Sequence, residues 1–298
     1  RERERETYHR IMDLNTDDGS LLLRFQRSMS LDPDDYSPIT IKSNKRRLTR
    51  STLYSVLFAL LGWYVPRYLI SHETLIASKQ APYQETSAGD ILLDFTLNQP
   101  VVDPPTIPGS FLVTTSVWLP LFLVTAHAWY SYAPTTFHFV EVTTAVSAFS
   151  MSIGLCEGTT TLLKLYVQRR RPNFYALCAF DTAQKACTAD LKHLREANFS
   201  FPSGHSSLAC GGMTFLVLYF CGKVLGQRVY NGSSSSNTTT SSSSRTGGFG
   251  GASQRQRQLF LVAVIPWGWA IFVGASRLVD RWHHPSDVVA GLWPGICT

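Results

Sequence analysis

The sequence FHFVEVTTAVSAFSMSIGLCEGTTTLLKLYV (Phe137–Val167) is the longest apolar block in the chain. A bilayer core is crossed by about 20 helical residues, and this block exceeds that length. Any one such block could also be a buried helix of a soluble protein, but five in one chain favour a membrane bundle. The other four blocks are Leu53–Ile70, Phe111–Tyr130, Ser207–Leu225 and Leu259–Ala275.

A sixth apolar segment begins near Ser286. The sequence ends at Thr298, and about a dozen residues are too few to cross a bilayer. The chain also begins with Arg1 rather than methionine. We therefore predict an all-α, polytopic membrane helical bundle with a six-span core, whose sixth span is truncated in this chain.

The distribution of lysine and arginine predicts the orientation of the bundle. A basic cluster precedes the first span and indicates a cytosolic N-terminus. The loop of residues 71–110 contains five carboxylates and a single lysine, as expected of an extracytosolic loop. Counting spans then places residues 168–206 outside and residues 226–258 inside, although the 168–206 loop is basic. The cluster consists of Lys42, Lys45, Arg46, Arg47 and Arg50.

Three short motifs fall at span ends that this topology places on the extracytosolic side. They are KLYVQRRRP (164–172), PSGH (202–205) and SRLVDRWHHPSD (276–287). Arginine offers a planar fork to phosphate oxygens, lysine offers a point charge, and a glycine turn that opens a helix offers backbone N–H donors. Together with histidine, these groups meet the needs of phosphoryl transfer without a metal ion.

The spacing within the third motif identifies a candidate nucleophile. His283 and Asp287 are four residues apart, so one helical turn would bring the carboxylate to the imidazole. A carboxylate at Nδ1 would fix the tautomer and leave Nε2 free to attack phosphorus. His284 has Val288 at the corresponding position and lacks this partner. We therefore predict that His283 is the nucleophile.

The order K-x6-RP, PSGH and SR-x5-H-x3-D resembles the type 2 phosphatidic acid phosphatase superfamily. The stretches RRRPNFYALCAFD and SFPSGHSSLA resemble its membrane-bound lipid phosphate phosphatase branch, and the resemblance covers roughly Leu53 to the end of the chain. It implies that His205 acts as general acid and then as base, that His283 carries the phosphoryl group, and that Asp287 orients it. It implies no metal or other cofactor. The phosphate-binding residues that it implies are Lys164, Arg171, Ser203, Gly204 and Arg277.

The function implied by the resemblance is metal-independent hydrolysis of lipid phosphate monoesters, such as phosphatidic acid, through a phosphohistidine. A lipid phosphotransferase and a lipid pyrophosphate phosphatase are the alternatives within the superfamily. A non-catalytic lipid-binding scaffold would lack catalytic residues, and none is missing here. The net charge of +6 does not indicate a nucleic-acid partner, because no basic face or stacking platform accompanies it. A homo-oligomer is compatible with this class.

The rest of the chain gives weaker expectations. We expect residues 1–50 to be a disordered cytosolic tail and residues 51–298 to be the lipid phosphatase membrane domain, with a Ser/Thr/Gly-rich cytosolic loop at 226–258. The predicted outside loop contains Cys178 and Cys187, which a lumenal or extracellular compartment would allow to pair. Glu157 lies inside the third span, where we expect it to bond another helix rather than to tune Lys164.

Overall fold

The computed structural model describes residues 38–71, 81–132, 137–233 and 248–297. Within these ranges, five helices are long and apolar enough to cross a membrane, and they coincide with the five predicted blocks. The chain is therefore an all-α polytopic bundle. The spans are Leu48–Ile70, Gly109–Tyr130, Phe139–Val167, Gly204–Lys223 and Arg257–Val279.

The helices of the bundle extend beyond these apolar segments. Helix α1 is Pro38–Ile70, and the second span combines α2 (Gly109–Val113), a π-helical turn (Thr114–Trp118) and α3 (Leu119–Tyr132). The remaining membrane helices are α4 (Phe137–Val167), α7 (Gly204–Ser233) and α8 (Gly248–Val279). Helix α9 (Pro285–Cys297) begins where the sixth span was predicted to begin.

The first helix begins earlier than we expected. Most of the predicted tail, residues 1–50, lies outside the described residues, but its last part belongs to α1. Proline is favoured at the first position of a helix, and no further proline or glycine occurs before Gly62, so nothing stops the helix from starting at Pro38. In the predicted 226–258 loop, residues 234–247 are not described, and the residues on either side continue α7 and α8.

Close helix packing depends on small residues. A Cβ atom on Gly62 of α1 would lie 2.4 Å from the carbonyl oxygen of Gly154 on α4, so the two backbones are nearly in contact there. A Cβ atom on Gly212 of α7 would lie 1.8 Å from the carbonyl oxygen of Ser116 in the π-helical turn. Helix α7, the most buried span, also packs against α4, α8 and α9. It is therefore the centre of the bundle.

A small layer covers the end of the bundle where α4 ends and α7 begins. It contains the hairpin β1 (Tyr83–Glu85) and β2 (Ile91–Leu93), the short helix α5 (Phe174–Cys178), the hairpin β3 (Phe180–Asp181) and β4 (Ala186–Cys187), and helix α6 (Leu191–Asn198). Tyr83 pairs with Leu93, and Phe180 pairs with Cys187. This layer has its own apolar cluster. Helix α5, the β3–β4 hairpin and helix α6 form the connection between α4 and α7.

Candidate active site

The three motifs meet at one end of the bundle. Lys164 lies in the last turn of α4, and its Nζ atom donates to the carbonyl oxygen of Phe199 at 3.0 Å, just before α7. The backbone N–H of Ser203 donates to the carbonyl oxygen of Asp287 at 2.9 Å. The Nη1 atom of Arg171 lies 3.4 Å from the Nε2 atom of His283. Residues far apart in the sequence thus form a single site.

The Asp287 carboxylate faces the Nδ1 side of His283 as the spacing predicted, but no continuous helical turn joins the two residues. Helix α9 begins at Pro285, so His283 precedes the helix, and its Nδ1 atom is 3.8 Å from the Oδ2 atom of Asp287. Proline is favoured at a first helical position, which explains this start. The Oδ2 atom of Asp287 also accepts a hydrogen bond of 3.0 Å from the backbone N–H of His284, as the third residue in a capping box does.

Ser200 links the two residues and was missed at the sequence level. Its hydroxyl donates to the Oδ2 atom of Asp287 at 2.5 Å and lies 3.3 Å from the Nδ1 atom of His283. Ser200 is fully buried, so this contact is shielded from solvent. Its position two residues before Pro202, within the SFPSGH stretch, was the only sequence signal for it.

The surroundings of His283 favour a neutral imidazole. The side chain is buried, and burial, followed by the nearby charge of Arg171, lowers the pKa of His283 well below its usual value. The carboxylate of Asp287 has the opposite effect and is itself fully buried. A neutral ring with its Nδ1 side held by Ser200 and Asp287 presents its Nε2 side to Arg171.

Arg169 is a second residue that sequence reasoning missed. Its Nη1 atom lies 2.7 Å from the Oδ1 atom of Asp287 and 2.6 Å from the hydroxyl oxygen of Ser286. The motif contains three consecutive arginines, and only the last of them matched the recognised pattern. The structure places Arg169 on the Asp287 carboxylate and Arg171 on the imidazole of His283.

Arg171 is held mainly by carbonyl oxygens. Its Nε atom donates to the backbone oxygen of Glu196 and its Nη1 atom to that of Trp282, at 2.5 and 3.1 Å. The guanidinium carbon lies 5.0 Å from the centre of the Trp282 ring. Burial lowers the pKa of Arg171 to about 10, so the group remains charged at neutral pH.

His205 lies in the first turn of α7 and has one free ring nitrogen. Its Nε2 atom is buried and has no hydrogen-bond partner within the described part of the chain, while the ring bonds to the backbone of Ile107. The charges of Arg277, Arg171 and Lys164 all act on this ring. The three cations predicted to bind phosphate therefore act electrostatically on the histidine predicted to be the general acid.

Arg277 lies in the last turn of α8 and is almost fully buried. Its Nη2 atom pairs with the Oδ2 atom of Asp280 at 2.9 Å, and its Nε atom donates to the hydroxyl oxygen of Ser276 at 3.2 Å. Asp280 lies inside the third motif, but sequence reasoning gave it no role. Ser203 and Gly204 occupy the turn that opens α7, and Gly204 lies beside the Lys164 side chain.

The layer beside the site contains the two cysteines that the sequence placed in one loop. Cys178 and Cys187 are joined by a disulfide. Elsewhere in the bundle, Glu157 pairs with Arg67 of α1 at 2.8 Å, which confirms the expected bond to another helix.

An integral multi-pass membrane protein with a histidine site rich in cations is the class that this fold and site define. Residues 145–298, just over half of the chain, match the PAP2 superfamily. The chain belongs to this superfamily, as its three motifs predicted.

Relatives with known names agree with this assignment. The chain is 27% identical over 248 residues to lipid phosphate phosphatase 2 of Arabidopsis thaliana, a match that covers 80% of this chain and 74% of that protein. It is 26% identical over 228 residues to phospholipid phosphatase 2 of Mus musculus, with coverages of 72% and 73%.

A third relative matches over a shorter segment. Lipid phosphate phosphatase 1 of Arabidopsis thaliana is 32% identical over 143 residues, and the match covers 46% of this chain and 36% of that protein. The chain thus spans little more than a third of the length of this relative. No solved structure matches the chain.

Proposed function

We propose that this protein is a metal-independent lipid phosphate phosphatase that hydrolyses phosphate monoesters, such as phosphatidic acid to diacylglycerol, through a phosphohistidine. One observation carries the proposal: the Nε2 atom of a buried His283 faces Arg171 at 3.4 Å, while its Nδ1 side is held by Ser200 and Asp287. The names of the relatives agree with a lipid phosphate as the substrate class.

The substrate phosphate binds among the cations. Lys164, Arg171 and Arg277 neutralise its oxygens, and the backbone at Ser203 and Gly204 adds donors where α7 begins. Phosphoryl transfer depends mainly on such positioning and charge neutralisation. The Lys164 ammonium donates to a carbonyl rather than to a carboxylate, so its charge is not already neutralised by a direct partner.

The first half-reaction forms the phosphohistidine. The Nε2 lone pair of His283 attacks phosphorus in line, and the bond from phosphorus to the ester oxygen breaks. His205, protonated at Nε2, gives its proton to the departing alkoxide, which leaves as the alcohol of diacylglycerol. The unpartnered Nε2 atom of His205 is available for this transfer.

The second half-reaction returns the enzyme to its starting state. Neutral His205 takes a proton from water, and the oxygen of that water attacks phosphorus. The bond between phosphorus and nitrogen breaks, inorganic phosphate leaves, and His283 becomes neutral again. Asp287 and Ser200 keep the His283 ring in one orientation throughout, so that the same nitrogen is presented in both steps.

The proposal is tested with phosphatidic acid in detergent micelles containing EDTA, using the full-length protein and its His283→Ala variant. Metal-independent phosphate release by the wild type, absent in the variant, supports the proposal. A radiolabelled phosphate trapped on His283 in an alkaline quench would identify the intermediate. A folded wild type that releases no phosphate contradicts hydrolysis, and phosphate transfer to an added alcohol would instead identify a phosphotransferase.

We also place the site on the extracytosolic side, lumenal or extracellular, with the N-terminus in the cytosol. The disulfide between Cys178 and Cys187 lies in the layer beside the site, and disulfides persist in oxidising compartments. In a Cys297→Ser background, a membrane-impermeant maleimide should label Lys192→Cys in intact cells but not Ser241→Cys. Labelling of Ser241→Cys alone would reverse the orientation.

A further inference from the structure

The segment of residues 99–107 contacts all three motifs, although sequence reasoning gave it no function. The backbone N–H of Gln99 donates to the carbonyl oxygen of Pro172, in the first motif, at 2.9 Å. The backbone of Ile107 bonds to the ring of His205, in the second motif. The carbonyl oxygen of Val102 accepts a hydrogen bond of 3.2 Å from the indole N–H of Trp282, in the third motif.

Thr106 makes the strongest of these connections. Its backbone N–H donates to the Oδ2 atom of Asp280 at 2.9 Å, and its hydroxyl donates to the Oδ1 atom of the same carboxylate at 2.5 Å. Asp280 is fully buried, and its Oδ2 atom also accepts from the Nη2 atom of Arg277. One threonine therefore supplies a donor to each oxygen of the carboxylate that holds a cation of the site.

This arrangement fixes the geometry of Arg277. The Thr106 hydroxyl donates to the Oδ1 atom, and the guanidinium pairs with Asp280 through the Oδ2 atom. Loss of that hydroxyl would remove a competing donor from the Oδ1 atom and would favour the fork-like bidentate geometry of arginine with both carboxylate oxygens. Such a pair would turn the guanidinium toward Asp280 and reduce what it can offer to a phosphate.

The same segment supports the other cationic face of the site. Trp282 lies under the guanidinium of Arg171, and its carbonyl oxygen accepts a hydrogen bond from that group. The bond from the Trp282 indole to Val102 ties this ring to the segment. Residues 99–107 thus contact Asp280, which pairs with Arg277, and Trp282, which lies against Arg171. They also contact the ring of His205.

We infer that the 99–107 segment is a positioning element of the phosphate site, and that Thr106 orients Arg277 through Asp280. The inference rests on the proposed function for the identity of the ligand, a phosphate group. Thr106 does not touch the reacting atoms and is a positioning residue. Its contribution is expected in phosphate affinity rather than in the chemical steps.

The test compares Thr106→Val, which removes the hydroxyl at nearly constant size, with Thr106→Ser, which keeps it. Calorimetric binding of inorganic phosphate to the full-length protein in detergent measures affinity without turnover, and KM and kcat for phosphatidic acid are measured in parallel. Since hydrogen bonds to charged groups are strong, we expect Thr106→Val to raise Kd and KM about tenfold, with kcat within about threefold of wild type. Thr106→Ser should keep most of the affinity.

Thr96→Val is the matched control, because Thr96 lies in the short 3-10 helix Phe95–Leu97 just before the segment, and its N–H and hydroxyl bond to Asp94. Its phosphate affinity should equal that of the wild type. Thr106→Ala, which also lacks the hydroxyl, gives the same readout if the valine variant does not fold.

Three results would overturn the inference. Wild-type affinity in Thr106→Val would show that the hydroxyl does not matter, and an equal loss in Thr106→Ser would show that shape, rather than the hydroxyl, matters. A wild type that binds phosphate but releases none from phosphatidic acid would refute only the proposed function. A folded wild type that binds no phosphate would refute both.

Discussion

The two ends of the bundle contain similar residues in different arrangements. At one end, Lys164 lies beside the start of α7, and at the other end Lys223 of α7 pairs with Glu141 of α4. Along α4, Glu141 and Lys164 are separated by about 34 Å, at 1.5 Å per residue. A histidine accompanies each cluster: the ring of His127 lies 3.1 Å from the hydroxyl oxygen of Tyr219 at the Lys223 end.

The partners of the cations distinguish the two ends. Lys223 donates to a carboxylate, so that pair is close to neutral overall. Lys164 and Arg171 donate to carbonyl oxygens, which orient the cations without cancelling their charge. Among the described residues, neither Lys164 nor Arg171 forms a salt bridge with a carboxylate. A cation held by neutral oxygens keeps its full charge for an anionic ligand, as at Lys164 and Arg171, whereas Arg277 at the same end shares its charge with Asp280.

The largest effect that would test this comparison is expected at His283. His283→Ala should lower kcat by at least about 10³-fold, since loss of a nucleophile removes the covalent route. His284→Ala is the matched control, because the ring of His284 contacts the backbone oxygen of Arg170 at 3.2 Å rather than the cationic site. Phosphate release from micelles measures both variants. Equal losses in the two variants would contradict the assignment of the nucleophile.

Exchange of each lysine for methionine tests the comparison directly. Lys164→Met should lower kcat/KM about 10²-fold, because it removes charge that stabilises the transition state. Lys223→Met should leave kcat/KM of the folded protein within about threefold but destabilise the fold by about 3 kcal/mol, because it leaves Glu141 buried without its partner. Activity per folded protein and thermal unfolding in detergent separate these two outcomes.

The double variant Glu141→Gln with Lys223→Met completes this test. Removing both charges should recover much of the lost stability, because no uncompensated charge remains. A loss of activity in Lys223→Met that exceeds its loss of folded protein would show that the Lys223 end also serves catalysis. The proposed division between the two ends would then be wrong.

The pH dependence of kcat/KM tests how the cations act on His283. Burial and Arg171 lower the pKa of His283, so the neutral nucleophile should persist below the usual histidine pKa of about 6.5. Arg171→Met removes a positive charge that disfavours imidazolium, so the pKa should rise and the acid limb should move to higher pH. Lys223→Met should leave the limb in place, because Lys223 pairs with Glu141, about 34 Å from Lys164 along the bundle.

The ionisation of the substrate phosphate is titrated separately and removed from each profile. A wild-type acid limb with its midpoint at the usual histidine pKa, and no shift in Arg171→Met, would contradict the charge arrangement at this end. A shift of the acid limb to lower pH in Arg171→Met would show that Arg171 raises the pKa of His283 rather than lowering it.

The sequence predicted the spans, and it proposed eight candidate site residues that the structure brings together at one end of the bundle. Apolar length and short motifs were sufficient because membrane spans and phosphate binding impose strong requirements on residue type. Ser200, Thr106 and Asp280 were missed for a physical reason: they act by orienting other side chains. Ser200 and Thr106 make these contacts with residues that are distant in the sequence, and spacing along the chain does not reveal such contacts. The Asp287 carboxylate does face the Nδ1 atom of His283 as predicted, but Pro285 starts the helix after His283, so a continuous helical turn does not join the two residues.

The smallest effect is expected at Arg169, which holds the outer oxygen of the Asp287 carboxylate at 2.7 Å and is partly exposed to solvent. Arg169→Gln should lower kcat about threefold to tenfold with little change in KM, because it loosens Asp287 behind the nucleophile and touches no substrate oxygen. Arg169→Lys, which keeps a cation near the carboxylate, should restore part of the loss. Arg170→Gln is the matched control, because the Arg170 side chain lies against the ring of Phe174.

The split between kcat and KM decides what Arg169 contributes. If Arg169→Gln raised KM and weakened phosphate binding instead, Arg169 would belong with the cations that contact the ligand. A partial rescue by lysine with an unchanged KM would assign it to the Asp287 carboxylate. This matters for the comparison of the two ends, because Arg169 is a cation at the Lys164 end that does pair with a carboxylate. If lysine rescues Arg169→Gln at an unchanged KM, the phosphate would bind where cations lack a carboxylate partner, and the number of cations at that end would not decide the position.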